Sequence, residues 1–120
     1  MISSKITGTG TFIPSLKKEN TDFLNEKFLD SDGAALTSEN DVIIEKFKAI
    51  TGIQERRYAR AEYTSSDLAF FAAQKAIEDA QINKEEIDYI IFAHNFGDVK
   101  LGTIQGDMLP SLATRVKYKL

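Results

Sequence analysis

Ser66-Asp67-Leu68-Ala69-Phe70-Phe71-Ala72-Ala73-Gln74-Lys75-Ala76-Ile77-Glu78-Asp79-Ala80, followed after a polar turn by Asp88-Tyr89-Ile90-Ile91-Phe92-Ala93-His94, is the stretch on which the fold turns. Ala69, Ala73, Ala76, Ile77 and Ala80 share one helical face, and Leu68, Phe71 and Ala72 widen it. So many small residues let a helix backbone approach a sheet or another helix closely, and predict burial on more than one side. Ser65 or Ser66 is the expected cap, and Gln81-Ile82-Asn83 the expected end. Lys84-Glu85-Glu86 reads as a polar turn. The run from Asp88 to His94 is continuously apolar at its centre, the pattern of a strand covered on both faces in a parallel sheet.

Toward the carboxyl end, Asn95 to Asp107 carries three glycines and reads as a long loop. Pro110 then suits the first turn of a helix containing Leu112, Ala113, Val116 and Leu120. Toward the amino end, Thr51 to Ala59 reads as a short extended segment rich in arginine. Before it, Ser38-Glu39-Asn40-Asp41 has the form of a capping box, Ile43, Phe47 and Ile50 are spaced as in a helix, and Gly52 stops them. Leu29 to Thr37 reads as a loop. Asn20 or Thr21 is the expected cap of a helix carrying Phe23, Leu24 and Phe28. The β-branched, glycine-punctuated start predicts a strand over 2–7 and a second extended stretch up to Pro14. Strand, helices, strand, helix is the order of an α/β layered domain.

The 120 residues suffice for one compact domain with a modest core. A hydrophobic share of 42% and a charged share of 28% are those of a globular protein and exclude a disordered chain. The net charge of −3 argues against a nucleic-acid binder, whose phosphate contacts need a basic surface. Arg56, Arg57 and Arg60 form one basic cluster, and Arg115, Lys117 and Lys119 another; both read as solvated faces, although either could meet a phosphate. With no cysteine and one histidine, the chain has no disulfide, no thiolate metal site and no cysteine nucleophile of its own. No run approaches the roughly 20 apolar residues that span a bilayer. The start lacks the apolar core of a signal peptide, which makes the cytoplasm the expected location.

Four motifs invite a chemical reading. Gly8-Thr9-Gly10 lacks the third glycine of a dinucleotide fingerprint, where Ile13 stands, and Pro14 blocks the helix that should follow; it reads as a turn or bulge. Asp30-Ser31-Asp32-Gly33 would require Phe28 as the first calcium ligand of an EF-hand, so it reads as a turn. His94, with Asn95 and Asp98, stands at the carboxyl end of the apolar run, where open α/β sheets bind ligands. No partner at a defined spacing makes it a base, and a strand-terminal hydrogen bond is the expected role. Thr51-Gly52-Ile53-Gln54-Glu55-Arg56-Arg57 reads physically as a helix stop followed by surface charge, although an arginine fork also suits phosphate.

Several strings taken together resemble β-ketoacyl-acyl carrier protein synthase III and its thiolase-superfamily relatives. They are Ile6-Thr7-Gly8-Thr9-Gly10-Thr11-Phe12-Ile13-Pro14, Thr51-Gly52-Ile53-Gln54-Glu55-Arg56, Tyr63-Thr64-Ser65-Ser66-Asp67-Leu68-Ala69, Ile87-Asp88-Tyr89-Ile90-Ile91-Phe92-Ala93 and Leu109-Pro110-Ser111-Leu112-Ala113. The resemblance implies a partial thiolase-like layered α/β fold, the amino-terminal part of its first βαβ half, over residues 1–120. It implies a decarboxylative Claisen condensation of acyl-CoA with malonyl-acyl carrier protein in fatty-acid synthesis by a homodimer, with acyl-CoA as substrate and no cofactor. It further implies that the catalytic cysteine, histidine and asparagine lie beyond Leu120, so that this portion alone is inactive and has no catalytic residue. The last helix, ending inside its amphipathic pattern without a following glycine or proline, agrees with that expectation.

By the same resemblance, Thr37 matches a coenzyme A-binding threonine, Gln54 replaces an arginine of that site, and its tryptophan is absent, with Asp41 or Val42 nearest. Extra residues lie between Val42 and Gly52. These departures imply an altered donor site. Leu109 matches the residue that crosses the family's dimer interface into the partner's acyl pocket, and a leucine there implies a different pocket wall. The competing expectation is a non-catalytic α/β module that binds a partner or small molecule unaided.

Overall fold

The computed structural model describes residues 3–120. The chain divides into two compact units, Pro14–Tyr58 and Met1–Ile13 with Ala59–Leu120.

In the Pro14–Tyr58 unit, β1 (Leu16–Glu19) pairs antiparallel with β2 (Glu55–Tyr58) in the register Leu16 to Tyr58 and Glu19 to Glu55. The expected arginine-rich extended segment is therefore β2. Its charges are matched locally: Lys17 Nζ lies 3.0 Å from Glu55, and Arg57 lies 2.8 Å from the same carboxylate. The expected helix after Asn20 is a single 3-10 turn, Asn20–Phe23. Asn20 does not cap it. Its Nδ2 donates to the Ile53 carbonyl at 2.9 Å and its Oδ1 accepts from Arg56 Nη1 at 3.0 Å, so the side chain is committed to the approach of β2. Asp30 forms the expected turn, accepting the N–H of Asp32 and of Ala34.

Helix α1 (Asn40–Thr51) stops at Gly52, whose φ of 69° lies in the left-handed region that glycine enters without strain. Its expected capping box is absent: Glu39 is the cap and makes no side-chain cap bond. Asn40 instead donates to the carbonyls of Leu24 and Glu26 at 2.7 and 2.8 Å, which ties the helix start to the preceding loop. Ile43 and Ile44 are the buried residues of this unit, and Phe47 meets Phe28 edge-on at 5.8 Å.

The second unit is built on α2 (Ser65–Ala80) and α3 (Leu112–Lys119). The cap of α2 is Thr64, whose N–H donates to Asp67 at 2.8 Å in a capping box one residue ahead of the expected serines. Leu112 and Val116 are the buried apolar residues of this unit. The α2 residues are half-buried or exposed except for Ser66, so the expected burial on more than one side is only partial. Its alanine face nonetheless does what small residues permit. A Cβ on Gly8 would stand 2.5 Å from the Ala76 carbonyl oxygen, and one on Gly10 would overlap the backbone of Ala72 and Ala76. Gly8-Thr9-Gly10 is thus a close backbone approach to a helix, with Thr9 N–H held by Asp79 at 2.9 Å, and not the turn or bulge expected. Phe12 closes the seam against Phe71 at 4.7 Å and Tyr63 at 6.5 Å.

Two expected strands do not form. Residues 3–7 and Asp88–His94 have no ladder partner among the described residues, and residue 2 of the first lies outside them. Tyr89 and Ile91 are 86% and 94% exposed while Ile90 and Phe92 are half-buried, so the apolar run packs on one side only. A strand requires a neighbour to bond, and the only sheet among the described residues is the β1–β2 ribbon. The class is a small mixed helix-and-strand α/β structure, without the parallel sheet that the apolar run predicts. Among the described residues no helix is long and apolar enough to cross a membrane.

Candidate functional site: a charged groove beside α2 and α3

An open groove of about 930 Å3 runs between the start of α2, the loop Asn95–Leu109 and one face of α3. Its floor is a network of charge around Asp98. The loop folds back on itself through an antiparallel bridge in which Asp98 N–H donates to Asp107 O at 2.9 Å and Asp107 N–H to Asp98 O at 2.8 Å. Glycine is required beside this bridge. A Cβ on Gly97, whose φ is 77°, would lie 2.7 Å from the Asp107 carbonyl, and one on Gly106 would overlap the Phe96 carbonyl.

The carboxylate of Asp98 is 4% exposed and points at the start of α2. Its Oδ1 accepts the Ser66 N–H at 2.8 Å and its Oδ2 the Ser66 hydroxyl at 2.7 Å. Arg115 Nη1 adds a third bond at 2.9 Å. Burial works to raise the Asp98 carboxyl, but the two Ser66 donors and Arg115 outweigh it and hold the group below the ordinary carboxylate range. The free amides at a helix start favour the negative charge further. Ser66 and Arg115 already occupy the carboxylate, and Ser66 is buried beneath it. The pair fixes shape; it is not a nucleophile and base.

Arg115 is the hub. Beyond Asp98, its Nη2 lies 2.9 Å from Asp107 Oδ2 and 2.8 Å from the Leu109 carbonyl, and its Nε donates to the Pro110 carbonyl at 3.0 Å. Asp107 is held below its usual range first by this guanidinium, which is correspondingly raised first by Asp107. The Leu109–Pro110 peptide bond is cis, and α3 begins after it, with Ser111 Oγ accepting the Thr114 N–H, so Pro110 precedes the helix and is not in its first turn. Lys119 pairs with Asp67 at the rim. The second basic cluster is thus only partly the solvated face expected, because Arg115 is committed to the groove floor. Sequence reading missed this tie. Its one signal was an arginine on the same helical face as the buried Leu112, three residues earlier.

Leu109 lines the groove with its side chain 84% exposed. Thr37 and Gln54 belong to the other unit, and both are exposed. Thr37 stands three residues before α1. Gln54 stands between Gly52 and β2, its carbonyl accepting the Asn20 N–H at 3.3 Å. Neither side chain makes a hydrogen bond among the described residues, so both are open to solvent. Nearby, Phe23, Phe28, Ile44 and Phe47 wall a pocket of about 190 Å3, with Arg56 lying 5.7 Å over the Phe23 ring. His94 takes a local hydrogen-bonding role, its Nδ1 accepting the Gly97 N–H at 3.0 Å.

No protein-family model matches the chain. Curated relatives do. The chain is 39% identical over 117 residues to β-ketoacyl-[acyl-carrier-protein] synthase III 1 of Vibrio parahaemolyticus, covering 98% of this chain and 30% of that protein. It is 40% identical over 117 residues to the Vibrio cholerae protein of the same name, with the same coverage. It is 41% identical over 99 residues to β-ketoacyl-[acyl-carrier-protein] synthase III of Staphylococcus saprophyticus, covering 82% of this chain and 28% of that protein. The chain therefore spans about a third of the length of these relatives. Over nearly all of its residues it is a homologue of part of β-ketoacyl-[acyl-carrier-protein] synthase III.

Proposed function

We propose that this chain is the amino-terminal portion of a β-ketoacyl-acyl carrier protein synthase III-like acyltransferase with a thiolase-like layered fold, active as a cytoplasmic homodimer. Its identity of about 40% to such enzymes over 98% of the chain carries the proposal. The reaction is a decarboxylative Claisen condensation. A cysteine thiolate attacks an acyl-CoA, the thioester bond to coenzyme A breaks, and the acyl group rests on the enzyme. Malonyl-acyl carrier protein then loses carbon dioxide, and the resulting carbanion attacks the enzyme thioester and releases the cysteine. The chemistry requires a depressed thiol pKa, donors for the oxyanion and donors for the enolate. The 120 residues contain no cysteine, so the nucleophile belongs to a further part of the protein.

The contribution of this portion is substrate selection. Thr37 and Gln54 serve the coenzyme A side. Gln54 is neutral where the resemblance puts an arginine and the chain has no tryptophan, so phosphate pairing and ring stacking to coenzyme A are weaker here. Leu109 serves the acyl side as a wall of the chain pocket.

The test is acylation of the intact protein with radiolabelled acyl-CoA, followed by addition of malonyl-acyl carrier protein. A cysteine-linked acyl group that converts to a 3-oxoacyl product supports the reading. Absence of label with every acyl thioester tried, or product formed by these 120 residues unaided, overturns it.

A further inference from the structure

We infer that Arg115 is a positioning residue that fixes where Leu109 stands and thereby which acyl chains the intact protein admits; the acyl ligand and the place of Leu109 against it rest on the function proposed above. Leu109 is largely exposed, so packing does not hold its side chain. What holds it is the backbone that follows its Cα. Its own carbonyl and that of Pro110 are both bonded to Arg115, at 2.8 and 3.0 Å. The guanidinium is in turn clamped between Asp98 and Asp107, each at 2.9 Å.

The Asp98 carboxylate and the Asp107 backbone are both tied in place. Asp98 is anchored to Ser66 at the start of α2, and the two aspartates are bonded to each other through their backbones. Position therefore passes from α2 through Asp98 to Arg115, and from Arg115 to the Leu109–Pro110 backbone. A planar fork with five donors can satisfy two carboxylates and two successive carbonyls together, whereas an ammonium on a flexible stem cannot hold all four in place. In the function proposed above Leu109 is a wall of the acyl pocket, so displacing its backbone moves that wall.

The experiment compares Arg115→Gln, Arg115→Lys, Leu109→Ala and the Arg115→Gln, Leu109→Ala double variant of the intact protein across a series of straight-chain acyl-CoAs. Arg115→Gln is expected to change the ratio of kcat/KM between a short and a longer acyl chain by about tenfold, the scale on which pocket shape discriminates chain length. The change falls mainly in KM, with Arg115→Lys intermediate. Added to Leu109→Ala, Arg115→Gln should change the ratio no further, because the wall it positions has gone. A loss of equal factor for every chain length, or full additivity in the double variant, overturns the assignment. If Arg115→Gln does not fold, Arg115→Lys carries the same comparison. If the intact wild-type protein forms no acyl thioester, the proposed function fails, and the positioning claim is judged by backbone amide relaxation of Leu109 and Ser111 in labelled protein. Increased amide mobility there in Arg115→Gln upholds it, and unchanged order refutes it.

Discussion

Ser66 gives both of its donors to Asp98, the backbone N–H at 2.8 Å and the hydroxyl at 2.7 Å, across 32 residues of sequence. A helix start has amides without intrahelical partners, and a buried carboxylate needs donors. Each supplies what the other lacks. Arg115 completes the carboxylate and joins α3 to the pair. Replacing Asp98 with alanine would leave the Ser66 amide and hydroxyl without an acceptor, while Arg115 keeps Asp107 and two carbonyls. Buried donors left unsatisfied cost about 1–3 kcal/mol, so Asp98→Ala should lower unfolding free energy by that order. Urea melts with an unchanged m-value check it. A loss below about 1 kcal/mol would mean that water replaces the carboxylate without penalty.

Acid should expose the same group. The Asp98 carboxyl is lowered on balance because Ser66 and Arg115 outweigh the upward push of burial, and the Asp67 carboxyl is lowered because Lys119 and Thr64 outweigh theirs. A folded-state value below the unfolded one means that the stabilisation is complete above the unfolded pKa. It is lost as the pH falls through the folded value. Stability should therefore decline below about pH 4, the ordinary aspartate range. Asp98→Asn should give a lower and flatter profile in urea melts between about pH 2 and 7. A variant profile parallel to wild type would remove Asp98 as a source of the acid sensitivity.

The seam between Gly10 and α2 gives a steric prediction. A methyl at Gly10 meets the backbone of Ala72 and Ala76, and backbone cannot swing aside as a side chain does. Gly10→Ala should cost about 1–3 kcal/mol, the range for overpacking a fitted contact. Gly33→Ala meets no atom and carries only the cost of a left-handed φ, about 1 kcal/mol. Thermal melts of the two variants side by side separate overlap from backbone strain. Equal losses would show that the helix moves away freely.

That seam also shows what could be read in advance and what could not. The alanines of α2 recur at helical spacing, so the helix and its capacity for close approach were legible. Which segment would approach was not, because Gly8-Thr9-Gly10 is equally good as a turn until a helix is known to lie against it. Helix α1 was legible from Ile43, Phe47 and Gly52. Strand β1 was not, since all four residues of Leu16–Glu19 are exposed and carry no apolar alternation; its partner alone makes it a strand. Asp88–His94 failed in the opposite direction. Its composition is that of a covered strand, but composition supplies no ladder. The floor of the groove was illegible for a third reason. Asp98 and Arg115 are 17 residues apart, and the loop bridge that brings them together leaves no periodic trace. Leu109, named from resemblance alone, lines that groove with its carbonyl tied to Arg115.

Asn20 carries the last prediction, for the other unit. Three of its groups reach the chain leading into β2: N–H to the Gln54 carbonyl at 3.3 Å, Nδ2 to the Ile53 carbonyl at 2.9 Å, and Oδ1 from Arg56 at 3.0 Å. The ribbon itself is four residues a side and exposed along β1, and an isolated two-stranded ribbon is marginal in water. Its ion pairs are solvent-exposed, where water and salt screening leave little net stabilisation. The side chain of Asn20 therefore has more influence on this ribbon than its own charges do. Asn20→Ala should cost about 1–3 kcal/mol, two side-chain bonds at about 0.5–1.5 kcal/mol each, and Lys17→Met should cost less. Amide exchange of β2 should quicken in Asn20→Ala and stay near wild type in Lys17→Met. The reverse order would mean that the charged register, and not Asn20, holds the strands together.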